Sequence, residues 1–297
     1  MKRILFVFNP CAGKGKIASN LSRIVCELGR HGQEVVIHAT TGRDDAKLVA
    51  QDYAARGLCD RIVCAGGDGT VNEVVTGVMN AKSSIPIGII PAGSTNDFGY
   101  TLRLPKDLAK AAAFAANAPA RPTDMATLNG RYLIYTAAFG LFSDVSYATS
   151  QKQKNVLGHL AYILNGIKSL ADVKVYHVKA EYGSQVLEDD FIHGMVVSAD
   201  SVGGFRGLPG KGVEIDDGLF EMIFVRNPKT PAGLARTVDE LLLHKFENAQ
   251  YIRYAKVKSL KVTSQEKLAW SLDGEYGGET SVADIEVLHR AVNYVRR

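Results

Sequence analysis

Arg61-Ile62-Val63-Cys64-Ala65-Gly66-Gly67-Asp68-Gly69-Thr70-Val71-Asn72-Glu73-Val74-Val75-Thr76-Gly77-Val78-Met79 changes its periodicity half-way along. Arg61 to Ala65 is a short apolar run of the kind a buried strand shows. Val71, Val74, Val75, Val78 and Met79 then recur at three-to-four spacing, which is one face of a helix. Between the two lie Gly66, Gly67 and Gly69, which permit positive φ and close approach of backbone N–H groups to a ligand. A strand, a glycine loop and a helix in that order belong to a parallel βαβ unit, with the ligand expected at the carboxyl end of the strand.

The same grammar continues in both directions. Upstream, Ile4 to Phe8 predicts a strand, and Ile17, Leu21, Ile24, Val25 and Leu28 fall on one helix face. Glu34 to Ala39 reads as strand, followed by a helix carrying Ala46, Val49, Ala50 and Tyr53 with Asp44 and Asp45 as candidate caps. Downstream come a strand at Ile87 to Ile90 and an alanine-rich helix from Asp107 to Asn117. The alternation predicts a doubly wound α/β domain over residues 1–122. From about Arg121 the pattern changes. Tyr132 to Phe139 is strand-like, and Tyr176, Val178, Ala180 and Tyr182 alternate with polar residues, as a half-buried antiparallel strand does. Strands are expected at Val257 to Val262, Leu268 to Leu272 and Ile285 to Leu288, with helices at Val156 to Leu170 and Leu234 to Leu243. Residues 123–297 therefore read as a mostly β second domain, its last residues expected to pack back on the first.

Composition narrows the function classes. The 297 residues are 46% hydrophobic and 22% charged, enough to bury two cores and far from disordered or collagen-like usage. A net charge of +4, from 35 basic and 31 acidic residues, is too small and dispersed to indicate nucleic acid, though it allows weak attraction to an anionic membrane. The apolar run after Met1-Lys2-Arg3 stops at Asn9-Pro10, too soon for a signal peptide, and no segment reaches the roughly 18 apolar residues of a bilayer span. Cys11, Cys26, Cys59 and Cys64 include no C-x-x-C pair, which fits a reduced, cytoplasmic setting. The histidines form no H-E-x-x-H and the chain has no G-x-S-x-G, so zinc hydrolysis and serine acyl transfer are not indicated.

Two further loops follow predicted strands: Asn9-Pro10-Cys11-Ala12-Gly13-Lys14-Gly15-Lys16 and Pro91-Ala92-Gly93-Ser94-Thr95-Asn96-Asp97-Phe98. Plain strand-to-helix turns explain one such loop; they explain poorly three at equivalent positions with Asp68 and Asp97 embedded. The first loop is no P-loop, because Ile17 stands where the Mg²⁺-holding hydroxyl belongs. Gly13-x-Gly15-x-x-Ala18 satisfies a relaxed dinucleotide fingerprint, but Thr40-Thr41-Gly42-Arg43 supplies no acid for the ribose. A nicotinamide-dependent dehydrogenase is thus a minor alternative.

Gly66-Gly67-Asp68-Gly69-Thr70 resembles the signature of diacylglycerol and sphingosine kinases, NAD kinases and, with serine, phosphofructokinases. Gly93-Ser94-Thr95-Asn96-Asp97-Phe98, Asp216-Asp217-Gly218-Leu219-Phe220 and Ser271-Leu272-Asp273-Gly274-Glu275 resemble later motifs of the diacylglycerol kinase branch, in order and at family-like spacing. The resemblance implies an NAD kinase-like and phosphofructokinase-like α/β domain, a sandwich-like β domain, and an active site in the cleft between them. It implies that Asn9, Pro10, Cys11, Ala12, Gly13, Thr41, Gly66, Gly67, Asp68, Gly69, Thr70, Val71, Asn72 and Ser94 hold ATP. Asp68, Asp97, Asp124 and Asp273 would organise Mg²⁺, with Glu275 as general base. A second, structural Mg²⁺ would take the Glu214 and Leu219 carbonyls and the Asp217 side chain. Ala12 and Ser94 depart from the family's serine and threonine; serine keeps the hydroxyl, whereas Ala12 removes a phosphate contact.

Phosphoryl transfer asks for this chemistry: positioning, cations on the phosphates, and a group to take the alcohol's proton. Several aspartates on one site repel one another without a divalent ion, which is a reason to expect Mg²⁺. Asp273-Gly274-Glu275 taken alone reads first as a hairpin turn. The basic strand Tyr251, Arg253, Tyr254, Lys256, Lys258 and Lys261 reads first as a solvated face, with lipid headgroups as the alternative. The expected activity is ATP- and Mg²⁺-dependent phosphorylation of a lipid hydroxyl reached by transient peripheral binding to a membrane, with homodimerisation open. NAD kinase, or a lipid sensor without turnover, are the alternatives.

Overall fold

In the computed structural model of the chain, residues 1–141, 173–207, 213–243, 246 and 248–297 are described. They divide into two compact units: Met1–Met125 with His289–Arg297, and Ala126–Leu288.

The first unit is built on parallel strands. β1 (Arg3–Phe8), β2 (Glu34–Ala39), β3 (Arg61–Gly66) and β4 (Ile87–Pro91) hydrogen-bond in the order β4-β3-β1-β2. The helices are α1 (Lys16–Ser19), α2 (Leu21–Gly29), α3 (Asp45–Ala55), α4 (Asp68–Asn80), α5 (Asp97–Thr101) and α6 (Leu108–Asn117). Successive residues of β1 and β3 are buried regardless of the face they point to, as continuous apolar runs in a sheet covered on both sides must be. One core joins Ile4, Phe6, Phe8, Val63, Ala65 and Ile90 to Ile24 and Leu28 of α2 and to the alanines of α6. Small side chains let α6 lie close: a methyl on Gly88 would stand 2.7 Å from the Ala115 carbonyl oxygen. The chain enters β1 between β2 and β3, so the direction of winding reverses there, and ligand sites in such sheets open outside the carboxyl ends at that reversal.

The helix expected over Ile17 to Leu28 is interrupted at Asn20, whose φ of −114° and ψ of 11° separate α1 from α2. Asp44 does occupy the N-cap of α3, but at φ 64° and without a capping bond from its side chain. The Asp45 carboxylate turns back instead to accept from the Thr41 N–H and hydroxyl.

β5 (Ala120–Leu128) carries the chain into the second unit, and β15 (Glu275–Val295) carries it back. In the returning segment Tyr294 pairs parallel with Ile87 of β4 and is fully buried. The Arg290 N–H donates to Asp124 at 2.6 Å, and the Arg296 guanidinium donates to the Thr123 hydroxyl and the Pro122 carbonyl.

The second unit contains β6 (Arg131–Leu133), β7 (Thr136–Gly140), β8 (Tyr176–Tyr182), β9 (Gln185–Val197), β10 (Ser201–Val202), β11 (Phe205–Arg206) and β12 (Phe220–Arg226). The helix α7 (Pro231–Leu242), β13 (Ile252–Val257) and β14 (Ser259–Leu272) follow. The first part of β9 pairs with β8 and its end with β7, while β14 pairs with β8 through Lys261–Ser264 and with β7 through Trp270–Leu272. The pairings β9-β7-β14-β8 therefore form a closed circuit within one sheet. Phe139, Trp270, Phe224 and Phe191 meet edge to face in its core, with ring centroids 5.1 to 5.6 Å apart.

Two strands differ from expectation. Tyr132 to Phe139 is split into β6 and β7, because Ile134 and Tyr135 turn their N–H groups to the Asp273 carboxylate. Val257 to Val262 is divided at Lys258, where β13 ends and β14 begins. The expected strands Leu268 to Leu272 and Ile285 to Leu288 are parts of the longer β14 and β15. The helix expected at Val156 to Leu170 lies outside the described residues.

Candidate active site

The three glycine loops leave the carboxyl ends of β1, β3 and β4, which are neighbours in the sheet. Ladder bonds tie their roots: Asn9 N–H donates to the Ala65 carbonyl at 3.0 Å and Ala92 N–H to the Gly66 carbonyl at 2.9 Å. Asn9 then shapes the first loop, its side chain accepting from Cys11 N–H and its carbonyl from Ala12 N–H. Gly13, Lys14 and Gly15 follow at φ 60°, 61° and 79°. Where Gly13 turns, a side chain would collide with the third loop, since its Cβ would stand 2.5 Å from the Ala92 carbonyl oxygen.

The second and third loops touch backbone to backbone. A Cβ on Gly93 would lie 2.6 Å from Gly67 Cα, so Gly93 excludes any larger residue, while a Cβ on Gly67 would stand 3.4 Å from Gly93 Cα. Asn96 holds that contact. Its side-chain oxygen accepts from Gly93 N–H at 2.6 Å and its amide donates to the Gly93 carbonyl at 2.9 Å, closing on one peptide from both sides. Asn96 itself is left-handed at φ 54°, a conformation asparagine tolerates. A small pocket lined by Gly66, Gly67, Asp68, Val71, Ile89, Pro91, Asn96, Phe98 and Gly99 lies at this junction.

Asp68 and Asp97 open α4 and α5, where the positive end of a helix favours a carboxylate. Asp97 is 2% exposed, while Asp68 is half-buried on the pocket wall. Among the described residues no three His, Cys, Asp or Glu side chains gather as a ready metal cage. Hard carboxylate oxygens in ones and twos, completed by phosphate and water, are nevertheless what Mg²⁺ takes, and Asp68 on the pocket wall is a donor of that kind. Thr70, Val71 and Asn72 form the first turns of α4; Pro10, Cys11, Ala12 and Ser94 lie in the loops, Cys11 and Ser94 exposed. Thr41 follows β2, and the N–H bond from Thr41 holds the Asp45 carboxyl below the usual carboxylate range. The next turn is fixed from α4, where Glu73 accepts from Asp44 N–H at 3.0 Å.

A diacylglycerol kinase of Bacillus subtilis (strain 168) is 36% identical over 279 residues, covering 94% of this chain and 91% of its own length. The chain belongs to the diacylglycerol kinase family. The model of the diacylglycerol kinase catalytic domain matches residues 3–128. The Staphylococcus aureus (strain MRSA252) diacylglycerol kinase is 32% identical over 280 residues, covering 94% and 87% of the two chains. A crystal structure from Bacillus anthracis str. Sterne aligns with a TM-score of 0.86 at 30% identity, covering 100% of this chain and 97% of that one. Membership makes the protein a lipid kinase.

The kinase's remaining candidate residues divide by what surrounds them. Asp124 is 1% exposed and is engaged by Arg290 N–H, within the first unit. Asp273 is 5% exposed and accepts from the N–H groups of Ile134, Tyr135 and Thr136 at 2.7, 3.0 and 3.1 Å. With Gly274 it also makes the two-residue turn between β14 and β15, at φ 51° and 85°, as a type I′ hairpin requires. The hairpin turn expected of Asp273-Gly274-Glu275 is thus present, and Glu275 is exposed at the first position of β15.

In the kinase's expected structural metal site, Glu214 is exposed, and Asp217 accepts from Leu219 N–H at 3.0 Å and from Lys256 Nζ at 2.9 Å. The Asp217 contact raises the Lys256 pKa. Nearby Glu221 is 3% exposed, and burial pushes its carboxyl up to about 7. Lys256 thus does not serve a purely solvated strand face. Glu73 and Glu221 are not among the residues that the sequence singles out, whereas Asn96 enters there only as a motif position, Asp45 as a candidate cap and Lys256 as part of a basic strand.

Proposed function

We propose that the protein transfers the γ-phosphoryl group of ATP, with Mg²⁺, to the hydroxyl of diacylglycerol or a closely related lipid. The observation that carries this reading is the mutual contact of the three glycine loops at the ends of adjacent parallel strands. Backbone lies against backbone there at Gly13 and Gly93, and the second and third loops lead into helix N-termini, which suits a polyphosphate held by N–H groups. In this reading Asn9 to Gly13 and Gly66 to Asn72 hold the nucleotide, Ser94 adds a hydroxyl, and Thr41 lies toward the base. Asp68 and Asp97 would hold Mg²⁺, which when bound neutralises charge on the transferring phosphates. Asp124 and Asp273 act on the site by fixing the backbone around them. Glu275 takes the proton of the lipid hydroxyl, its exposure leaving it open to a second substrate.

Relatives named diacylglycerol kinases, matched along most of the chain, support the acceptor class. The lipid is expected to be reached by peripheral binding; among the described residues no helix is long and apolar enough to cross a membrane. The test is transfer of labelled γ-phosphate to diacylglycerol, sphingosine, undecaprenol and NAD in parallel, with wild type and Glu275→Gln. Label in diacylglycerol, reduced about 10² to 10⁴-fold by the substitution, is the expected result. Label in NAD alone would refute the proposal, and equal label with both proteins would remove Glu275 from the role of base.

A further inference from the structure

The family resemblance puts a structural Mg²⁺ on Asp217, yet the groups around that carboxylate already hold a cation. Both Asp217 oxygens have donors: Leu219 N–H on one and the Lys256 ammonium on the other. The same ammonium lies 3.7 Å from Oε1 of Glu221, a side chain 3% exposed whose Oε2 has no hydrogen-bond partner. The position of the ammonium follows from the backbone. β12 and β13 are antiparallel, and Glu221 is the residue directly opposite Lys256 in their register. A lysine and a glutamate are thereby set directly across the two strands, their side chains within reach of each other.

We infer that the Lys256 ammonium is the resident cation of an Asp217–Glu221 site, so that this chain needs no divalent ion there. A lysine brings one charge on a tethered stem, and it is present whenever the sheet is formed. A second cation beside it would meet direct repulsion in a half-buried setting where water screens little. Two carboxylates left without the ammonium would instead repel each other, and a divalent ion would then be the group that relieves them. The inference concerns folding and stands apart from the choice of lipid acceptor.

The experiment uses the full chain without nucleotide. Thermal unfolding midpoints are followed through MgCl₂ and CaCl₂ titrations, with NaCl controls of equal ionic strength, for wild type, Asp217→Asn, Lys256→Met and the double variant. Wild type and Asp217→Asn are expected to respond alike to divalent ions. Lys256→Met is expected to start with a lower midpoint and to gain a saturable rise that the double variant lacks. A saturable rise in wild type that Asp217→Asn abolishes would overturn the inference, as would a Lys256→Met protein that folds and gains no response. Should Lys256→Met fail to fold, Mn²⁺ binding measured by electron paramagnetic resonance decides from the other two proteins. Equal stoichiometry in wild type and Asp217→Asn supports the inference, and one ion fewer in Asp217→Asn refutes it.

Discussion

Replacing Asp273 separates anchoring from chemistry. In Asp273→Ala the N–H groups of Ile134, Tyr135 and Thr136 lose their acceptor in a buried place. At about 1 to 3 kcal/mol for each unpaired buried group, the loss reaches several kcal/mol. Total stability is only about 5 to 15 kcal/mol, so this variant is expected to be largely unfolded. Asp273→Asn is the informative change. Asparagine accepts the left-handed φ of 51°, and its remaining oxygen can keep the bonds from Tyr135 and Thr136, but its amide meets Ile134 N–H donor to donor. One bond to a charged group is lost, about 1.5 to 3 kcal/mol, or roughly a 10- to 150-fold fall in the folded-to-unfolded ratio. Urea unfolding should show a lower midpoint at unchanged slope, while the KM for ATP holds below the transition, since no loop of the first unit is touched. An unchanged midpoint with abolished transfer would refute the anchoring role and leave Asp273 to the reaction alone.

Gly93→Ala sets a methyl 2.6 Å from Gly67 Cα, a collision of two backbones that no rotamer relieves. It should cost about 1 to 3 kcal/mol and raise the KM for ATP roughly tenfold or more; unchanged nucleotide binding would show that the loops part freely. Asn96→Gly keeps the left-handed turn and loses only the clamp on Gly93, whereas Asn96→Ala loses both, so the alanine variant should melt lower. Equal melting would exclude backbone strain from the role. The native state keeps the Glu221 proton up to about pH 7, while the unfolded chain releases it near 4.5. This group's contribution is therefore full below about 4.5 and is lost as pH rises through 7. Glu221→Gln should gain stability relative to wild type between about pH 5 and pH 8, and a difference constant across that range would count against the shifted proton.

The parts of the molecule legible from sequence are those whose cause is local. Gly66 to Thr70 announces a loop because glycine acts on its own backbone, and the apolar run Ile4 to Phe8 announces a strand covered on both faces. What stayed hidden depends on distant partners. Nothing near Ile134 says that the strand must break there, since its acceptor is 139 residues away. Lys256 sits in a basic alternating strand and looks solvated until β12 brings Glu221 opposite it. Among the acidic candidates, sequence marks Asp68, Asp97, Asp124 and Asp273 alike, and gives no sign that Asp124 and Asp273 accept from backbone N–H groups 166 and 139 residues away.

The first unit is discontinuous, and that has a consequence for how it is made. Arg290, Tyr294 and Arg296 complete contacts with Asp124, Ile87 and Thr123 that the chain translated more than a hundred residues earlier. A ribosome releases the three glycine loops early, but the edge of β4 acquires its Tyr294 partner only after the whole second unit has emerged. Until then the nascent first unit carries an open strand edge, a template for wrong pairing. The order of synthesis thus makes the time taken to translate the second unit a determinant of how long the first remains exposed to chaperones and to its neighbours on the polysome.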